Sequence, residues 1–129
     1  MRENQKYVGV WIDKKEALFI GTSDQTNKGD FDILKKIKFE HHSHHGSSEH
    51  VQNQRDSNEL NQYFKSLVGD LSEYDEVYLF GPGQIQEQLK NFAPSQNFLR
   101  EVNFTLGTAD THMTKNQIIA AVRDYFKTI

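Results

Sequence analysis

Tyr7–Ile20, YVGVWIDKKEALFI, reads as two short strands joined by a polar turn. Apolar and small residues alternate from Tyr7 to Asp13, Asp13-Lys14-Lys15 carries the reversal, and Glu16 to Thr22 is apolar again. A β-hairpin is therefore expected at the start of the chain. The segment after this hairpin decides the fold. Ser23–Asp30, SDQTNKGD, is rich in turn formers and leads to a third strand over Phe31–Phe39, FDILKKIKF. Strict alternation puts Ile33, Ile37 and Phe39 on one face of that strand and Lys36 and Lys38 on the other. Lys35 falls on the wrong side of this pattern.

Beyond Asp56 the apolar period changes from that of a strand to that of a helix. Asp56-Ser57-Asn58-Glu59 has the form of an N-cap with its reciprocal glutamate. Leu60, Phe64, Leu67, Val68 and Leu71 come next at helical spacing, which predicts an amphipathic helix over Ser57–Leu71. Glu76–Phe80 is a compact apolar strand, and Gly81-Pro82-Gly83 turns the chain into a second helix with Ile85, Leu89 and Phe92 facing inward. Val102–Leu106 predicts a fifth strand. Thr114-Lys115-Asn116-Gln117 is a capping box for a last helix carrying Ile118, Ile119, Ala121, Val122, Tyr125 and Phe126. The order is β-β-β-α-β-α-β-α. It predicts an α/β fold with a mixed five-stranded sheet and helices on its faces, the order of ribonuclease-H-like and translational-machinery architectures. Trp11, Phe19 and Leu79 are expected on related layers of one compact unit.

At 129 residues the chain is expected to form one domain over 1–129, with a polar His-rich loop at 40–55. A net charge of −3 provides no global basic field of the kind that drives bulk nucleic-acid binding. The absence of cysteine removes disulfide partners, zinc ribbons and thiol nucleophiles, and fits a reducing cytoplasm. The stretch MRENQKYVGVW (Met1–Trp11) is expected not to act as a signal peptide, having no apolar core of that length, and no apolar run approaches the roughly 20 residues of a membrane helix. The expectation is a soluble, cytoplasmic protein that does not enter a membrane.

With the elements in this order, the chain resembles the middle domain of archaeal and eukaryotic class-1 peptide-chain release factors and of Pelota, and most of all their bacterial relatives. Three segments carry the resemblance: the opening hairpin YVGVWIDKKEALFI, the strand-to-helix segment YDEVYLFGPGQIQEQL (Tyr74–Leu89), and THMTKNQIIAAVRDYF (Thr111–Phe126) near the end. The resemblance implies a partner in the ribosome or another RNA-containing complex. It also implies that the loop between the third strand and first helix should carry a Gly-Gly-Gln tripeptide that promotes peptidyl-tRNA hydrolysis. Here that place holds FEHHSHHGSSEHVQNQRD (Phe39–Asp56), with His45-Gly46-Ser47-Ser48 and then Gln52 and Gln54, and no Gly-Gly-Gln. Paired glycines reach backbone shapes that serine adopts only at a cost. Gly81-Pro82-Gly83-Gln84 is no substitute, since a turn and a helix start account for it, with Gln84 expected in the first helical turn. The stop-codon-reading and partner-binding domains of the release factors have no counterpart in these residues, so codon reading would need another chain to supply that part; a second chain or an oligomer is among the partners considered.

The 40–55 loop admits three readings. Lys35, Lys36 and Lys38 before it, with Lys28 further back, and Gln52, Gln54 and Arg55 within it are candidate RNA contacts. Phosphate binding depends on fixed positive charge, whereas the histidines would supply charge only as they titrate near about pH 6.5. His41, His42, His44, His45 and His50 are candidate ligands for zinc or another transition metal. Ordering so polar a loop would cost chain entropy, so a solvated loop without a specific ligand is preferred and no cofactor is expected. The carboxylates of a two-metal nuclease would have to be Asp13, Glu59 and Asp110, and each is better explained by a turn, a cap or a connection. Serines beside histidines do not make a triad without rigid geometry. No catalytic residue is assigned. The favoured reading is a non-catalytic, ribosome-associated binding module; the alternatives are a divergent peptidyl-tRNA hydrolase using the 40–55 loop and a metal-binding protein acting through its histidines.

Overall fold

A computed structural model describes residues 5–39, 49–92, 102–109 and 113–128, leaving aside the side chains of residues 49–57. The elements run β1 (Tyr7–Ile12), β2 (Glu16–Gly21), β3 (Asp32–Lys38), α1 (Glu49–Leu71), β4 (Glu76–Gly81), α2 (Ile85–Phe92), β5 (Asn103–Thr108) and α3 (Lys115–Lys127). Their order is the expected one. The five strands form one sheet in the spatial order β3-β2-β1-β4-β5. β1 pairs antiparallel with β2, and β2 with β3, while β4 runs parallel to β1 and β5 parallel to β4. The sheet is thus mixed: hairpins build one half, and crossovers through α1 and α2 build the other.

Alternation along β1 and β2 sorts their side chains to two faces. Val8, Val10, Ile12, Ala17 and Phe19 join Val77 and Leu79 of β4 beneath α1 and α2, where Phe64, Leu67, Val68, Leu71, Ile85 and Leu89 close the larger core. On the other face Trp11, Leu18, Ile20 and Phe80 lie beneath Ile118, Val122 and Phe126 of α3. Trp11 is therefore on the same sheet as Phe19 and Leu79 but faces the opposite helix layer. The capping box of α3 forms as expected: Gln117 N–H donates to Thr114 Oγ1 at 3.1 Å, and Thr114 N–H to Gln117 Oε1 at 2.8 Å. α3 also approaches β1 closely, and a Cβ on Gly9 would run into both methyls of Val122.

Several boundaries differ from the sequence reading, for identifiable reasons. α1 begins at Glu49, eight residues before Ser57, so Asp56-Ser57-Asn58-Glu59 lies inside the helix and is no N-cap. Helix, once nucleated, extends at little cost through Gln52, Asn53, Gln54 and Arg55, and no apolar period marks those turns. The polar loop expected over 40–55 is therefore helical from Glu49 onward. β5 runs two residues past Leu106, because Gly107 and Thr108 pair with Phe80 and Gly81. Gln84 precedes α2, its carbonyl accepting from the N–H of Glu87 and Gln88 at 3.1 and 3.2 Å.

The largest correction is in β3. Ile20 pairs with Ile33 but Phe19 with Lys35, leaving Leu34 as an extra residue in the strand. A bulge of this kind reverses the face of everything beyond it. Ile33 accordingly packs on the α3 side, and Ile37 and Phe39 on the α1 side. They do not share a face. Lys35, the residue that broke the alternation, sits on the α1 side for the same reason.

Candidate functional site

Among the described residues β3 is an edge strand, paired with β2 alone. Charged residues and bulges are devices that keep such an edge from pairing further, so its lysines have a structural use before any binding role. Lys35 Nζ is 2.7 Å from Asp70 Oδ2 of α1, and Lys36 Nζ is 3.1 Å from Glu16 Oε2 of β2. Both charges are compensated within the chain. Lys38, opposite Glu16 in the register, makes no ion pair among the described residues. The three lysines do not converge: the bulge sends Lys35 toward α1, and Lys36 toward Glu16 on the opposite face.

Where β3 ends, Lys38 and Phe39 meet the middle of α1 and border a cleft of about 290 Å³, completed by Glu59, Gln62, Tyr63 and Ser66. Tyr63 forms its floor. Its ring stacks on Phe39 with centroids 4.7 Å apart and planes 5° from parallel. Only 4% of the residue is exposed, and its hydroxyl has no hydrogen-bond partner among the described residues. Burial raises the Tyr63 pKa well above the ordinary phenol value, and the Asp13 and Glu16 carboxylates push it further the same way. The phenol is a neutral donor at any physiological pH. With one free ammonium at its rim, a carboxylate and an amide, the cleft suits polar binding, and none of its described lining residues is an activated nucleophile.

The other residues named from the sequence fall into two groups. His41, His42, His44 and His45 lie outside the described residues. His50, Gln52, Gln54 and Arg55 occupy the first two turns of α1, on helical backbone rather than in a loop. Among the described residues, no group of three or more histidine and carboxylate side chains is arranged to hold a metal ion. Asp13 does serve the hairpin: its Oδ1 accepts from the N–H of Lys15 and Glu16 at 2.7 and 2.8 Å. Asp110 lies outside the described residues.

The Gly81–Gln84 turn serves the scaffold. A Cβ on Gly81 would collide with the Ile12 carbonyl, so only glycine lets β4 end this close to β1. Just beyond, the buried Gln86 amide donates to the Gly81 and Gly107 carbonyls, each at 3.2 Å, tying the ends of β4 and β5 together.

Sequence reasoning missed Tyr63, which helical spacing marks only as one more core position. It also missed Asp70 as the counter-charge of Lys35, a pairing that depends on the bulge.

No family model matches the sequence, and no curated protein matches it. Solved structures do. The chain superposes on ribosome-bound archaeal Pelota, described with ABCE1, at TM-score 0.57 and 16% identity over 93% of its length. The fold is shared with part of Pelota. Archaeoglobus fulgidus Pelota gives a TM-score of 0.59 at 9% identity over 98% of the chain. Dom34 of S. cerevisiae, described as a translation termination-like factor in RNA quality control that interacts with Hbs1, gives 0.53 at 12% identity over 95%. The expected likeness to the Pelota and release-factor group is thus found in the fold. The chain spans about a third of these relatives, 34%, 34% and 36% of their lengths respectively.

No helix among the described residues is long and apolar enough to cross a membrane.

Proposed function

We propose that this chain is a single-domain, non-catalytic module of translation that binds the ribosome in the cytoplasm through RNA contacts at the β3–α1 end of the sheet. The observation that supports this most is the near-complete superposition on Pelota, one of whose structures is of the ribosome-bound protein. Lys38 at the cleft rim and Arg55 at the start of α1 are the cations we assign to phosphate. Lys35 and Lys36 would first have to leave Asp70 and Glu16. A hydrolytic role is not proposed: no Gly-Gly-Gln is present, and Gln52 and Gln54 stand on helical backbone without the freedom that paired glycines provide.

Co-sedimentation with ribosomes at low and at high salt tests this reading. The expected outcome is pelleting at low salt that is lost at high salt, with Lys38→Glu and Arg55→Glu together weakening it and lowering the salt slope by about one per phosphate contact removed. A chain that stays in the supernatant at both salts would rule the proposal out.

A further inference from the structure

The two edges of the sheet obey opposite rules. β3 has three lysines and a bulge along its open side. β5, NFTLGT at the other edge, has no charge, no proline and no register shift against β4. The N–H of Asn103 bonds to the Asp75 carbonyl at 2.9 Å and that of Ala109 to the Gly81 carbonyl at 3.0 Å, which fixes the phase of the strand. In a parallel ladder the alternate residues, Phe104, Leu106 and Thr108, then turn both N–H and C=O away from β4. None of the three has a hydrogen bond beyond the sheet among the described residues. A row of outward backbone groups in this spacing is complementary to one thing, another extended strand.

We propose that the β5 edge is where two copies of this chain pair, antiparallel, about a two-fold axis through Leu106. The outward residues are centred on Leu106, so one pairing satisfies both strands: Leu106 meets its own copy, and Phe104 meets Thr108 of the second copy. The intervening positions set Thr105 against Gly107 of the second copy. Over Asn103–Thr108 no charges oppose each other in this register, the two Leu106 side chains form an apolar pair, and the largest side chain, Phe104, faces the smaller Thr108. The half-buried Phe104 and Leu106, which flank the larger core, gain cover from the same pairing. The same operation at β3 would set lysine against lysine. Six residues per strand bury less than a permanent interface needs, so the association is weak and concentration-dependent.

Sedimentation equilibrium of the full chain, pursued up to about millimolar concentration, tests the proposal, and a monomer–dimer equilibrium is expected. Thr108 is exposed and its N–H points outward, so proline there removes a donor from the edge while Gly107 and Ala109 keep their bonds to β4. Thr108→Pro should weaken association roughly tenfold or more, since symmetry removes two bonds at once. Thr108→Val, which retains the donor, should associate like the parent. If Thr108→Pro lowers the thermal midpoint, Thr105→Lys gives the same readout by bringing two ammonium groups together across the axis. A chain that is monomeric throughout overturns the proposal and leaves the edge to a strand of another protein. Undiminished association of Thr108→Pro or Thr105→Lys, in a folded variant, overturns it too.

Discussion

The α1–α2 face of the sheet and the α3 face are closed by different means. On the first, two helices cover every strand, from Ile37 of β3 to Phe104 and Leu106 of β5, and apolar side chains interdigitate throughout. On the second, α3 lies over β1 and β2, and rings cover the rest. Tyr125 stacks on Tyr78 at 4.0 Å with planes 1° apart, Tyr78 stacks on Phe80 at 4.9 Å, and the Tyr78 hydroxyl reaches over Gly107 of β5. Burial of that ring, and then its Tyr125 neighbour, raises the Tyr78 pKa. The first face is a volume problem, where removing atoms hurts. The second depends on one close helix approach at Gly9, where adding atoms hurts.

Leu67→Ala should produce the largest effect. Leu67 is fully buried near the C-terminal end of α1 and belongs to the larger core. Truncation leaves a cavity and should cost about 2–5 kcal/mol, read as a drop in the thermal midpoint. A loss below about 1 kcal/mol would mean that this face tolerates missing volume, and the contrast between faces would collapse. Gly9→Ala should come next, at about 1–3 kcal/mol, because the new methyl must displace a β-branched Val122 with little rotamer freedom. The contrast sharpens in the double variant. Val122→Ala makes room for the new methyl, so Gly9→Ala with Val122→Ala should be more stable than the two single losses added together. Strict additivity would mean that Val122 does not set the distance of α3 from the sheet.

Both layers could be read from the sequence because each is written as periodicity: alternation in β1 and β2, helical spacing from Leu60 to Leu71, and a capping box at Thr114. The path of β3 could not be read in the same way. A bulge is a property of two paired strands, and FDILKKIKF alone shows only that Lys35 is out of phase. The start of α1 was hidden for a different reason. Its first turns have no apolar repeat, while Asp56-Ser57-Asn58-Glu59 imitates a helix start that the longer helix overrides. The candidate site lies where these two features meet, so its composition was legible and its geometry was not. Lys35 and Lys36 could be named as cations, but only the bulge assigns Lys35 to Asp70. Tyr63 went unnamed beside Leu60 and Phe64, and only the packing of Phe39 against it shows that it lines a cleft.

The smallest effect should come from the pair that the bulge creates. Lys35 and Asp70 join the edge strand to α1 on the α1–α2 face, yet their side chains remain 52% and 32% exposed. Water screens such a pair strongly, so the coupling between Lys35→Ala and Asp70→Ala in a double-variant cycle should be about 0.2–1 kcal/mol. It should also fade as salt is added. Lys36 reports on the opposite face, since its partner is Glu16 rather than Asp70. Lys36→Ala should therefore show no coupling to Asp70→Ala. Coupling of Asp70 to Lys36 in place of Lys35 would indicate that β3 runs without the bulge, which would return Ile33 and Ile37 to a common face.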